Sequence, residues 1–389
     1  MAVFLISATT AKAFVCVFTF IQTVAGLQGR TRELVSSIVL FRHGARAPVA
    51  NYSDEIMRTI FRNGLGQLTD KGLEGNRKIG RFLRQRYVEG KDFLRVPLLP
   101  KQVYFRSTGV GRCLMTGLGV GSVMFAGSKP AMSAVPIYTQ ETRSKDLLLR
   151  SPKECKYENR RLFKKCGKEP GHYKTWPEYE AFVFECMGLN ALTTLFKEPG
   201  SFAKAEPMYN EDKNGLKEGD TEFARIKDEL YDLYQKVYAY NIGVGEPKML
   251  QIKQGLLMDF IIKELTKQKE KHKEHGVVEE RKFIAISTQD WLIQALLHSL
   301  GAGTEALGDT IPEYNALLMF ELWKNEMNYD IEVLYKKDVN SEAKIITQSV
   351  RKCNGRSPCS FDEFAKCCDD YRIEDSHTLL EKCDEEYEG

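Results

Sequence analysis

Short, wholly apolar runs alternate along this chain with longer stretches whose apolar positions recur every three or four residues. That alternation predicts strands buried on both faces between amphipathic helices. Ser36 to Phe41 reads as a strand. The turn at residues 66–72, with Thr69 or Asp70 as N-cap, opens an amphipathic helix running to about Tyr87. Val103 to Phe105 is a second short strand, and a helix is expected from about Arg112 to Phe125. Late in the chain Phe283 to Ser287 is again a strand. A helix from Asp290 to Leu300 follows it, then a hairpin of Leu317 to Trp323 with Ile331 to Lys336. Between roughly 131 and 280 the character changes to helical, charged and aromatic segments, for example 218–240 and 248–275. The pattern predicts an α/β fold: a doubly wound, largely parallel sheet flanked by helices. Residues 27–130 and 281–389 form its core, and 131–280 are inserted as a helical cap.

Composition adds little to that picture, and the N-terminus more. The chain has 389 residues, 43% hydrophobic and 28% charged, with a formal net charge of +3. So small a charge gives no reason to expect a nucleic-acid partner, and the run from Lys263 to His275 mixes Lys and Glu as a solvated helix face does. Ala13 to Ala25 is an apolar run preceded by Lys12 and closed by small residues, which predicts a secretory signal over residues 1–26 with cleavage after Gly26. No other stretch is apolar and long enough to suggest a membrane partner. Of the ten cysteines nine follow the leader, and in an oxidising compartment most should pair. Cys353 and Cys359 are spaced to close a small loop, and the odd total leaves one thiol over. Asn51-Tyr52-Ser53 is a glycosylation sequon. The expectation is a secreted protein, with no cofactor and no metal site.

The candidate chemistry lies at strand ends, where ligands bind in doubly wound sheets. Three such ends carry Arg42-His43-Gly44-Ala45-Arg46, Arg106-Ser107-Thr108 and Ser287-Thr288-Gln289-Asp290. An imidazole between two permanently charged guanidinium forks suits capture and attack of a phosphate group. With its Arg-His-Gly-x-Arg-x-Pro loop, the Gly-x-Leu-Thr-x-x-Gly turn at 66–72, Arg-Ser-Thr at 106, the step at 287–290 and the stretch from Cys353 to Phe361, the chain resembles the histidine acid phosphatases, a branch of the phosphoglycerate-mutase-like fold. Secreted insect members, including venom and salivary proteins, look most similar. The resemblance implies transfer through phosphohistidine: His43 attacks phosphorus, Arg42, Arg46 and Arg106 neutralise its oxygens, and Asp290 protonates the leaving oxygen.

The chain departs from the family where a histidine should precede Asp290. It has Gln289, a neutral donor in place of a charged one, and losing one charged donor commonly costs about 2.7–4 kcal/mol in the transition state. His298 is no replacement, since along a helix it sits roughly 12 Å from Asp290. Gly109 and Gly111 stand where the family usually carries acids, and Cys186 resembles half of a family disulfide whose partner position is Leu317. Gly117-x-Gly119-x-Gly121 reads as helix packing, Cys367-Cys368 as disulfide cysteines rather than metal ligands, and Trp176 as a packing residue. Trp291 directly follows Asp290 at the cleft.

Two functions follow. The favoured one is a protein with impaired or absent catalysis that binds small host mediators in the old cleft, as salivary relatives do. Biogenic amines such as serotonin or catecholamines would pair with Asp290, and leukotrienes with the arginines; Gln289 and Trp291 complete the ligand site. The alternative is an active phosphatase whose partner is a phosphate monoester.

Overall fold

The computed structural model describes residues 32–388 apart from 92, 128–133, 141–144 and 327. The expected leader and the expected start of the cap near 131 both lie outside the described residues. β1 (Arg32–Arg42) opens the fold, followed by short α1 (Ile56–Ile60) and α2 (Asp70–Arg84). Thr69 caps α2 by accepting a hydrogen bond from the Gly72 amide at 3.2 Å, which satisfies one of the orphan donors of the first turn. β2 (Val103–Ser107), α3 (Gly111–Met124) and the two-residue β3 (Ile137–Tyr138) complete the N-terminal part.

Helices then dominate: α4 (Lys156–Cys166), α5 (Trp176–Cys186), α6 (Ala205–Lys213), α7 (Thr221–Ile242) and the long α8 (Pro247–His275). The sheet resumes with β4 (Phe283–Thr288), and α9 (Asp290–Leu300) follows it directly. The expected hairpin is β5 (Leu317–Asn325) with β6 (Asn328–Lys336), and β7 (Ala343–Ile345) and β8 (Cys359–Ser360) both pair with β6.

The sheet order is β3-β2-β4-β1-β5-β6-β7. β1, β2, β3 and β4 are mutually parallel, whereas β5 runs against β1 and begins the antiparallel part. β1 explains its own apolar run. Val35, Ile38 and Leu40 enter one core, shared with Leu257 and Ile261 of α8 and with Leu292 and Leu296 of α9. Leu34, Val39 and Phe41 enter the other, against Ile79 and Leu83 of α2 and Val120 and Met124 of α3. A strand with apolar partners on both faces has no solvent side to mark with polar residues.

One compact unit begins at Arg32. The first core extends without a break into Phe184, Phe202 and Tyr234 of the helical segment. α8, placed on the cap side of the expected boundary, lies against β1 and α9. The disulfides are Cys155–Cys383, Cys166–Cys186, Cys353–Cys359 and Cys367–Cys368. Cys186 therefore needs no partner at Leu317, which sits buried in β5: its mate is Cys166, 20 residues earlier, where the ends of α4 and α5 meet. Asn51 of the sequon is exposed, and the Ser53 hydroxyl donates to Glu211 at 2.5 Å. No helix among the described residues is long and apolar enough to cross a membrane.

Candidate active site

Strand register brings the three candidate segments together. Arg42 of β1 lies beside Thr288 of β4, and Ser107 of β2 beside Ser287. The chain leaves all three strands at one edge of the sheet, and a cleft of about 730 Å³ opens there. His43, Arg46, Gln289, Asp290 and Trp291 all line it.

His43 is 2% exposed and its ring is fixed at both nitrogens. Nδ1–H donates to the Gly44 carbonyl at 2.9 Å, which leaves the Nε2 lone pair to accept from Nε–H of Arg112 at 3.1 Å. Burial, reinforced by Arg112, Arg42 and Arg46, holds this imidazole well below its ordinary pKa. It therefore stays neutral in acid, the state a nitrogen nucleophile requires. The loop carrying it is packed on the first turn of α2. A side chain on Gly72 would overlap the Ala45 backbone, and one on Gly44 would overlap the Gly72 carbonyl. Two glycines let strand end and helix start touch.

The arginines divide into two sets. Arg46 and Arg112 line the cleft, with Arg150 further along it. Arg46 is held at 2.7 Å by Glu206, a fully buried residue of α6. Arg42 lies beneath: it bonds the Pro312 carbonyl at 2.7 Å, pairs with Asp290 at 2.6 Å and stacks on Tyr314 with 3.9 Å from its Cζ to the ring centroid. Arg106, expected on the phosphate, is instead paired with buried Asp146 at 2.5 Å and lies outside the cleft lining. The guanidinium that β2 and its following helix supply to the cleft is Arg112, in the first turn of α3. Sequence reasoning passed over it, although an arginine at the start of a helix directly after a site-forming strand was a usable signal.

On the β4 side the polar groups satisfy one another. Asp290 accepts from Arg42 through Oδ2 and from the Trp291 amide through Oδ1, at 2.6 and 2.8 Å. Gln289 is the N-cap position of α9, and its Oε1 accepts from the Trp291 indole at 3.0 Å. The indole is a donor only, so this bond fixes the amide with its NH₂ at the free end. His298 lies at the far end of α9, away from the cleft lining.

The helical segment supplies the outer wall, which sequence reasoning did not anticipate. Trp176 and Tyr179 of α5 and Tyr238 of α7 line the cleft together with Trp291. Trp176 is 43% exposed, a cleft-rim residue and not the packing residue expected. Cys113, beside Arg112, is the one unpaired cysteine among the described residues. It is fully buried against the Thr288 carbonyl, and burial pushes its thiol up to about 12. Gly117, Gly119 and Gly121 lie inside α3 and face Ile137, Asn76 and Val135, a packing role. Among the described residues no group of three or more His, Cys, Asp or Glu is placed to hold a metal ion.

Comparisons with known proteins identify the family and agree with the fold. A family profile described as the histidine phosphatase superfamily (branch 2) matches residues 33–336. A Caenorhabditis elegans protein named putative acid phosphatase 1 is 30% identical over 359 residues, covering 88% of this chain and 81% of that one. Mouse prostatic acid phosphatase is 25% identical over 358 residues, covering 88% and 87%. Among solved structures, the apo form of Hafnia alvei phytase superposes with a TM-score of 0.58 at 16% identity, covering 90% of this chain and 98% of that one. A Bifidobacterium longum multiple inositol polyphosphate phosphatase complexed with inositol hexasulfate gives 0.54 at 12% identity, covering 89% and 94%.

Proposed function

The chain belongs to the histidine phosphatase superfamily, branch 2, and on that premise we propose that its cleft binds phosphate monoesters and hydrolyses them slowly through His43. One observation carries this reading: the Nε2 lone pair of a neutral, orientation-locked imidazole lies under Arg112 in the cleft. Arg112 gives up its hydrogen bond to Nε2 and, with Arg46, neutralises the phosphoryl oxygens as the freed Nε2 lone pair attacks phosphorus. Arg42 acts from below, holding Asp290 in place. The relatives named acid phosphatases support the same activity. Slowness follows from Gln289, whose amide brings no charge to the developing phosphorane. The deficit is up to about 2.7–4 kcal/mol, or a factor of about a hundred to a thousand.

Capture of small mediators without turnover is the second reading, favoured by the size of the cleft and its aromatic wall. The geometry selects among the mediators. An ammonium ligand would have to displace Arg42 from Asp290 beside two more arginines, so amines such as serotonin fit poorly. A carboxylate-bearing ligand such as a leukotriene suits the same floor. The expected leader and the four disulfides support secretion.

The test is hydrolysis of p-nitrophenyl phosphate at pH 5, with His43→Ala as control. Weak turnover that disappears in the control is expected. No turnover by the native protein or by Gln289→His would remove the hydrolytic reading. Calorimetric titration with serotonin, noradrenaline and a leukotriene then decides the second one, and only the carboxylate ligand is expected to bind.

A further inference from the structure

A second concavity, of about 620 Å³, shares no lining residue with the cleft. It lies between the exposed face of α2 and the turn that joins β6 to β7. Five cationic side chains line it, Lys78, Arg81, Arg86, Lys91 and Lys336, against one acid, Glu342. Two of the five are answered in place. Arg86 is paired with buried Glu321 at 2.9 Å, and Arg81 with Glu74 at 2.8 Å. Lys78, Lys91 and Lys336 form no ion pair with any of the described residues.

Lys336 is the most telling of the three, because it is 5% exposed. Its ammonium donates to the Ser341 carbonyl and lies 5.1 Å from the centre of the Phe82 ring. Asp338 and Glu342 act on it only at longer range, and Asp338 Oδ1 is already taken by the Asn340 and Ser341 amides, both at 2.8 Å. A buried cation with no anion in contact is costly, and an anion entering the groove would relieve that cost. The same Asp338 bonds fix the turn, so this wall is formed before any ligand arrives. Lys78 reaches the turn at Asn340 Oδ1, 3.4 Å away, and Lys91 sits 4.4 Å above the Trp323 ring.

The chemistry of the walls selects among polyanions. A single-stranded nucleic acid needs open aromatic faces on which its bases stack, and here Phe82 is covered by Lys336 and Trp323 by Lys91. A lipid surface needs exposed apolar side chains to enter it, and no residue lining the groove is an exposed large hydrophobic. Lysines offer point charges on flexible stems, which follow charged groups scattered along a chain. An anionic chain with neither bases nor tails is a sulfated polysaccharide. We infer that the groove between α2 and the β6–β7 turn binds such a chain through Lys78, Lys91 and Lys336. This site stands apart from the cleft and from its chemistry.

Calorimetric titration of the full chain with a heparin oligosaccharide tests this. Binding is expected at about 50 mM salt, weakening about thirtyfold by 200 mM as three charges are screened. Lys78→Ala combined with Lys91→Ala should weaken it at least tenfold. Lys267→Ala with Lys273→Ala removes the same charge from the exposed face of α8 and should change affinity less than twofold. Arg112→Ala with Lys153→Ala strips cations from the cleft and should be equally silent. No binding at low salt overturns the inference, as does an equal loss in the α8 pair. A loss in the cleft pair places the polysaccharide in the cleft and overturns it too. So does desulfated heparin that binds as well as the sulfated form. A single-stranded oligonucleotide or anionic vesicles that bind more tightly than heparin, and lose that binding in the Lys78 and Lys91 variant, assign the groove to another partner.

Discussion

The carboxyl ends of β1 and β4 lie side by side in register, yet they treat their polar side chains in opposite ways. At the end of β1, His43 is fixed through Nδ1 with Nε2 accepting from Arg112, a cleft-lining guanidinium, and its loop is pressed onto α2. At the end of β4, Gln289, Asp290 and Trp291 spend their hydrogen bonds on one another and on Arg42. One end turns its ring nitrogen to a guanidinium of the cleft, and the other closes its bonds among its own neighbours. The same strand termini in the same sheet can therefore differ in chemical readiness, because readiness depends on whether a side chain is held by a cleft group that a ligand can draw away or by its own buried neighbours.

His43→Ala should break the comparison most completely, lowering turnover of p-nitrophenyl phosphate about a thousandfold or more while phosphate still binds. Arg112→Ala comes next. A loss of about a hundred- to a thousandfold in kcat/KM is expected, whereas Arg106→Ala should chiefly lower thermal stability, because it strands the buried Asp146 carboxylate. Their contrast in paired activity and melting assays checks which arginine serves the cleft. Gln289→His acts on the other strand end and should raise kcat by about tenfold, short of the full charged-donor effect, because Asp290 remains tied to Arg42.

The pH profile sharpens the same contrast. A histidine with its ordinary pKa would lose nucleophilicity as pH falls through about 6.5. Burial and three arginines depress the pKa of His43, so the acid limb of kcat/KM should lie well below that value. Glu180→Gln should have the smallest effect. Burial, with Glu206 adding to it, raises the Glu180 carboxyl well above its ordinary range, so the native state holds this proton more tightly than the unfolded chain does. That contribution is present in acid and is lost as pH rises. The melting temperature of the variant should gain on that of the native protein between pH 4 and pH 7.

The β1 end was legible from sequence because its signal is local: an apolar run, then two arginines around a histidine. The step at 287–290 was legible for the same reason. Arg112 was missed because Arg106 sits nearer its strand, and only the fold shows that Asp146 takes Arg106 away from the cleft. The aromatic wall was illegible for a deeper reason. Trp176 and Tyr238 lie some sixty residues apart on different helices, and they become neighbours only once α5 and α7 pack over the sheet. The partner of Cys186 was illegible likewise, since it depends on where the ends of α4 and α5 meet.

Cys113 turns one detail of the floor into an instrument. Its thiol is sealed between the first turn of α3 and the end of β4, with the Ser287 hydroxyl donating to its carbonyl at 2.7 Å. A maleimide dye can reach that sulfur only when helix and strand separate. Labelling speed therefore clocks the breathing of the segment that carries Arg112. A ligand that bridges Arg112 to His43 should slow that clock without ever touching the cysteine.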